Sequence, residues 1–488
     1  MVFARGPFRM SSSLPVPLEA GYFTEHTVVE LAAALRTGRV SPGELVEHAL
    51  RAAGRLAPLF NAFVTIDGPS ARAVAAHAAA ELAGGRDRGP LHGIPVAVKD
   101  MVATAGLRTT MGARHFETYV PARDAECVRR LRAAGAIVIG KTTTHEFAYG
   151  ATGDRSANGA ARNPYRPGHM SGGSSAGSAV AVAAGIVPLA LGTDTGGSVR
   201  LPAALCGVVG LRPSHGAVPT DGVFPLSPSL DTIGPMARTA ADCHALWRAL
   251  VGSSGSVTSS GGRAAGGITS SGGPTADEGV HPFRIGWLDA VGPTDPAVAT
   301  VVRAWLGELA AELGADVVDT VLPDPDGMRR TYSTVQGWEA HAVHAERLAV
   351  APDQYDAEVL ARLRAGGRIS PGEYRDARGA QREARRVVTG LLGDLDLLAL
   401  PTAGLVAPKV GVRSVSVGDR ELDVREALLG LTMLWSVTGL PALSLPAGQV
   451  DGLPVGLQLV AADGAEDLLL RVAERSDELW LGVGQSSR

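Results

Sequence analysis

Residues 171–193 read SGGSSAGSAVAVAAGIVPLALGT and hold no charged side chain. A stretch of that length raises a membrane span. Its composition argues against one: Gly and Ser crowd the first half, Pro188 interrupts it, and Asp194 and Arg200 follow at once. A helix over 176–185 running into a strand over 187–192, both buried, explains the run better. Burial on that scale needs a large core, and the rest of the chain supplies one.

Working outward, helix and strand signals alternate. Ser41-Pro42-Gly43-Glu44 is a capping box with Pro at the first helical position and predicts a helix over 42–55. Strands are predicted at 61–66, 94–99 and 136–140. Helices are predicted over SARAVAAHAAAELAGG, which ends at Gly84 and Gly85, and over 124–134. Later strands fall near 284–288, 396–400, 441–445 and 456–461, and helices near 296–313, 329–350, 371–393 and 465–478. The alternation predicts an α/β fold with a largely buried sheet. Residues 252–280 are low-complexity Gly/Ser and read as a flexible loop or linker.

The chain has 488 residues, 45% hydrophobic and 19% charged, which is ordinary for a globular protein with a core that needs no disulfides. Length alone suggests about three domains. A net charge of −4, with both signs interspersed, gives no footprint for nucleic acid or an anionic membrane. Cys127, Cys206 and Cys243 are far apart, form no metal-ligand spacing, and suit a reduced, cytoplasmic chain. The N-terminal 1–23 lacks the apolar core of a signal peptide and reads as a tail, with Met10 a candidate start.

Three motifs compete for the chemistry. GAIVIGKT at 135–142 matches the P-loop pattern, but its central Ala-Ile-Val-Ile reads as a strand. Amides committed to a sheet cannot cradle phosphate. Gly173-Ser174-Ser175-Ala176-Gly177 matches a nucleophile elbow at Ser175, but the preceding NPYRPGHM holds two prolines and no strand. His341 and His344 lack a third ligand and an HExxH pattern, so no metal is expected. The third candidate combines LHGIPVAVKD (91–100), the serines of 171–178, and GTDTGGSVR (192–200). A lysine at a buried strand end loses its charge readily and then serves as a base. Gly196-Gly197 before Ser198 lets backbone N–H groups converge on one point, as an oxyanion hole requires.

Together with LGTDTGGSVRLPAALCGVVGLRPSHG, SPSLDTIGPMARTAAD, GLPALSLPAG and GLPVGLQLV, these segments resemble the amidase signature family, the Ser-cisSer-Lys amide hydrolases. The resemblance runs from about residue 24 to 480. It implies one α/β/α sandwich around a large mixed sheet, with 252–280 an insertion within a single domain and 481–488 a C-terminal tail. It implies Ser198 as nucleophile, Ser174 as a bridge in a cis peptide, and Lys99 as base. Thr195, Gly196, Gly197 and Ser198 would form the oxyanion hole, and Ser175, Asp194 and Arg200 would support the site. Ser171 and Ser178 read as structural. No cofactor is implied.

By family position, Tyr149, Gly150, Ala151 and Thr152 edge the acyl pocket, with Trp435, Met433 and residues of 329–340 on its other side. Plain core is an equal reading of Trp435 and Met433. One branch of the family, the amide-hydrolysing component of glutaminyl-tRNA amidotransferase, resembles this chain around HEFAYG. That branch places an acid where by-eye alignment puts Leu429, with Glu426 near. The neutral pocket this suggests favours a small-molecule amide, ester or carbamate (urethane) over glutamine. Urea or allophanate hydrolysis and a non-catalytic scaffold are the remaining alternatives. Residues 27–55 are candidates for a homodimer surface, though their apolar spacing fits internal packing equally well.

Overall fold

The computed structural model describes residues 17–252, 282–289 and 291–485. Apart from Gly252, the Gly/Ser stretch expected at 252–280 lies outside the described residues, as do 1–16 of the N-terminal tail and 486–488.

In chain order the strands are β1 (Phe63–Ile66), β2 (Pro95–Lys99), β3 (Ile137–Thr142), β4 (Leu189–Asp194), β5 (Val209–Arg212), β6 (Thr232–Ala237) and β7 (Arg284–Leu288). They continue with β8 (Asp316–Thr320), β9 (Leu397–Pro401), β10 (Ser414–Val417), β11 (Arg420–Asp423), β12 (Ala442–Val450) and β13 (Leu453–Val460). Among the described residues, eleven of them form one mixed sheet in the order β1-β3-β2-β4-β6-β5-β12-β13-β9-β7-β8, and β10 and β11 form a separate hairpin. Helices flank the sheet, which is the α/β architecture expected. β2 and β4 pair in parallel within it, with Val98 beside Leu191. Every residue of both strands is buried. The uncharged run 171–193 is therefore apolar because helices cover both faces of its strand. No described helix is long and apolar enough to cross a membrane.

The capping box at Ser41 forms as predicted: Ser41 Oγ accepts from Glu44 N, and Ser41 N donates to the Glu44 carboxylate at 2.7 Å. The helix runs to Phe60, beyond the predicted end, and stops where Asn61 turns left-handed at φ 47°. The apolar residues of this helix and of Val28–Arg36 point into the core, which accounts for the apolar spacing of 27–55. β5 and β6 have no counterpart among the predicted strands. Gly210, Gly234 and Pro235 read locally as turn residues, yet Pro235 sits opposite Leu191 in the antiparallel β4–β6 ladder. Tertiary pairing overrides local propensity there.

The helix Ala176–Ala183 follows the serine-rich segment and packs on β3 through Gly177. The Gly177 N–H donates to Thr143 O at 2.8 Å. A side chain there would start 2.3 Å from Ala62 O and 2.4 Å from Thr143 N, both backbone atoms. Gly177→Ala is expected to destabilise the protein by about 1–3 kcal/mol through overpacking, read as a lower urea midpoint. An unchanged midpoint would refute the close-packing account of this glycine.

Candidate active site

Lys99 ends β2, and the segment before the helix Ala176–Ala183 brings Ser174 to it. Lys99 Nζ lies 2.7 Å from Ser174 Oγ and 2.7 Å from Thr193 Oγ1 on β4. The Gly173–Ser174 peptide is cis. Lys99 and Ser174 are fully buried, whereas Ser198 keeps 6% of its surface open. Burial pushes the Lys99 ammonium down to about 7, against the opposing pull of Asp194 and Asp231. An amine so poised is neutral in a large share of molecules near pH 7.

Ser175 belongs to the frame. Its Oγ donates to Thr193 O and accepts from Thr193 N, both at 3.2 Å, and its own N–H donates to Ser198 O at 3.1 Å. These bonds lock the serine segment to β4 and to the Ser198 turn. No strand precedes Ser175 and its side chain is fully buried, so the elbow geometry is absent. Ser171 Oγ donates to Ala161 O at 3.0 Å and Ser178 Oγ to Leu191 O at 2.8 Å, as structural residues do.

The turn after β4 is built on Asp194. Its carboxylate accepts from Gly197 N at 2.9 Å, Val199 N at 3.1 Å, Arg200 Nε at 3.0 Å, Arg200 Nη2 at 2.9 Å and Arg212 Nη1 at 3.2 Å. All three charged side chains are fully buried. Burial pushes the Asp194 carboxyl up, but the two guanidiniums and the amides outweigh it and hold it well below the usual carboxylate range. Arg200 continues to Thr432 O at 2.9 Å, Gln458 Oε1 at 2.7 Å and Ser436 Oγ at 3.1 Å.

One expected member of the oxyanion hole is thereby changed. The Gly197 N–H is spent on Asp194 and does not point freely outward. The N–H groups of Thr195, Gly196 and Ser198 have no acceptor among the described residues. Gly197 serves the turn otherwise: at φ 134°, its absent side chain makes room for Thr432, whose Oγ1 donates to Gly196 O at 2.7 Å.

The expected pocket residues divide. Tyr149, Gly150, Ala151 and Thr152 are buried beside the serine segment, where a side chain on Gly173 would meet Gly150 O at 2.9 Å. Met433 lies in an apolar cluster with Ala151, Leu201, Leu429 and Tyr332. Trp435 does not join it. It is fully buried with Leu288, Met328, Leu398 and Val460, a core residue and not a pocket wall. Two positions apart on one helix, the two side chains face nearly opposite ways.

Sequence reading missed Thr193, Arg212 and Thr432, and gave Tyr332 and Gln336 only within the span 329–340. Tyr332 Oη lies 2.0 Å from where a Gly196 side chain would begin, and Gln336 Nε2 donates to that hydroxyl. Arg362 and Arg425 flank the Tyr149 ring, while Leu429 lies in the apolar cluster with Met433. Strand position next to Lys99 could have flagged Thr193; no local signal marks the others. Lys141 of the P-loop match is buried on Val102 O and Thr104 Oγ1 within β3. His344 bonds Tyr355 at 2.8 Å and His341 bonds Leu363 O at 3.0 Å. The described residues contain no His/Cys/Asp/Glu group able to hold a metal.

Asp194→Asn is expected to destabilise the fold by about 3–5 kcal/mol, because it strands two buried guanidiniums. Urea unfolding measures this, and a loss below about 1 kcal/mol would contradict it. The sign with pH follows from the lowered carboxyl: the stabilisation is complete above its ordinary value of 3.8 and is lost as pH falls further.

Comparison with known proteins identifies the family of the chain. The amidase family model matches residues 44–470. The GatA-type component of glutamyl-tRNA(Gln) amidotransferase from Symbiobacterium thermophilum is 36% identical over 464 residues, covering 89% of this chain and 93% of the relative. AtzE, a component of the 1-carboxybiuret hydrolase of Pseudomonas sp. (strain ADP), is 35% identical, covering 91% and 97%. A crystal structure of an amidase superposes with a TM-score of 0.83 at 36% identity, covering 93% of this chain and 99% of that one. The chain therefore belongs to the amidase family and is an amidase.

Proposed function

We propose that the protein hydrolyses the C–N bond of a small-molecule amide through an acyl-enzyme on Ser198, with Ser174 and Lys99 as its proton relay. The observation that carries this reading is the 2.7 Å contact between a desolvated Lys99 amine and Ser174 Oγ. Neutral Lys99 takes the Ser174 proton while Ser174 takes that of Ser198, and Ser198 Oγ adds to the carbonyl carbon. The N–H groups of Thr195, Gly196 and Ser198 receive the oxyanion. The proton returns through Ser174 to the departing nitrogen as the C–N bond breaks. Water then adds to the acyl ester by the same relay and frees Ser198. Esters and carbamates present the same carbonyl and fit the same steps. The chemistry draws on no cofactor.

Arg200, Arg212 and Asp194 hold the turn, and Ser175 holds the two serine segments together. The second reading is the GatA-type component of a glutamine-dependent tRNA amidotransferase. It is favoured by the relatives of that name, at 36–37% identity over about nine-tenths of this chain. Leu429, buried and apolar, favours the small-molecule reading. Ammonia released from glutamine, measured against a panel of neutral amides, separates the two. A cytoplasmic location and a homodimer remain part of this proposal.

Ser198→Ala and Lys99→Ala are expected to lower kcat by several orders of magnitude with unchanged circular dichroism, and Ser198→Ala to abolish fluorophosphonate labelling. Normal turnover in Ser198→Ala would sink the assignment. Because the reactive form is neutral Lys99, kcat/KM is expected to rise with pH through about 7 and level above it. A profile flat from pH 5 to 9 would argue against Lys99 as the base.

A further inference from the structure

The loop 226–231 stands between the Ser198 turn and the helix Pro325–Val350, and Asp231 closes it. Asp231 Oδ2 accepts the N–H groups of Leu226 at 2.9 Å and Ser227 at 3.0 Å. Its Oδ1 accepts from Thr195 Oγ1 at 2.6 Å. Thr232, the next residue, lies opposite Asp194 at the end of the β4–β6 ladder, so Asp231 and Thr195 leave the sheet side by side. The far side of the loop is held by Glu339. Ser227 Oγ donates to that carboxylate at 2.7 Å, and Ser229 reaches it through its N–H at 3.0 Å and its Oγ at 2.6 Å. Glu339 also accepts from Tyr374 Oη at 2.7 Å and from Arg378 Nη1 at 3.1 Å, both on the helix Pro371–Leu391.

Thr195 is the first residue of the turn whose N–H has no acceptor among the described residues. Its hydroxyl is spent on Asp231, which fixes the direction of that N–H. The charge of Asp231 is a separate matter. No cation lies within ion-pair distance of it among the described residues. Burial pushes its carboxyl up to about 6, with the charge of Glu339 adding to the push and three neutral donors opposing it. An ionised acid costs more in such a place than an asparagine would. Its charge balances the surroundings instead. Arg200 and Arg212 outnumber Asp194 in the adjoining centre, and Asp231 supplies the fourth charge. Its field favours the ammonium of Lys99 and the guanidinium of Arg212. The charged groups around it are Lys99 on β2, Asp194 on β4, Arg212 on β5 and Glu339, while His215 meets the loop at Pro228 O.

We propose that Asp231 is a positioning residue for amide hydrolysis, aiming the Thr195 N–H at the oxyanion and lending Lys99 a carboxylate charge that no guanidinium among the described residues neutralises. This rests on the reading of Ser198 given above. The loop 226–231 then braces the helix that carries Tyr332 and Gln336 against the oxyanion turn.

The probe is the rate at which a fluorophosphonate labels Ser198. Labelling forms the bond from Ser198 Oγ to phosphorus and expels fluoride, so it draws on the same base and amides without a recognised leaving group. Thr195→Val keeps the N–H and loses the hydroxyl. It is expected to slow labelling about 10- to 100-fold, and Thr195→Ser to retain most of the rate. Asp231→Asn keeps a partner for Thr195 and removes the charge. Lys99 releases its proton more readily without that anion, so the midpoint of labelling against pH is expected to fall by about 0.5–1. A lost prop alone would lower the rate and leave the midpoint in place. An unmoved midpoint in Asp231→Asn, or labelling of Thr195→Val at the wild-type rate, overturns the proposal and leaves the Ser198 reading intact. Where circular dichroism shows Asp231→Asn unfolded, the two Thr195 variants decide. Labelling of Ser198→Ala at the wild-type rate overturns the Ser198 reading and the role of Asp231 with it.

Discussion

The buried charge of Asp194 is the constraint on which the rest of the site depends. A lone carboxylate at that depth would neutralise or unfold its surroundings. Here Arg200 and Arg212 enclose it, and its oxygens also collect the amides of Gly197 and Val199. The turn that carries Ser198 is therefore shaped by electrostatics as much as by glycine. Arg200 then ties the same centre to Thr432, Ser436 and Gln458, residues more than two hundred positions away. The helix Met433–Thr438 and β13 in this way support the turn that carries Ser198. Shifting any partner of Asp194 would re-aim the amides of Thr195, Gly196 and Ser198.

A second gradient runs across the site, from closed to open. Lys99 lies at the end of a strand buried on both faces, and Ser174 beside it is equally shut away. Ser198 alone among the three reaches the surface. Desolvation leaves the lysine neutral in a large share of molecules near pH 7, and the same desolvation costs stability that the surrounding core must offset. Thr193 and Ser174 give the amine its two polar contacts, so the lysine is held by hydroxyls and not by a carboxylate. A direct ion pair would have kept it charged.

Lys99, Ser174 and Ser198 come from three short segments in the first two hundred residues. The side chains gathered near Tyr149 and the Ser198 turn, among them Tyr332, Gln336, Arg362, Arg425 and Met433, are spread over nearly three hundred positions. Relatives of this chain are named for substrates as unlike as glutamyl-tRNA(Gln) and carboxybiuret, at similar identity.

By itself the sequence determined the α/β alternation, the burial of 171–193, the capping of the helix at Ser41, and the grouping of Lys99, Ser174 and Ser198 as candidates. The first three are written in neighbouring residues, in periodicity and caps; the grouping of the three residues came from separate segments that together resemble one family. Only the tertiary structure decided that β5 and β6 are strands, because their glycines and proline are tolerated by pairing and not by propensity. Only it removed Gly197 from the free amides, sent Trp435 into the core, and placed two arginines against Tyr149. The physical reason is one of range. Backbone preferences act over a few residues, whereas a buried charge or a pocket wall is defined by whichever distant segments packing brings against it.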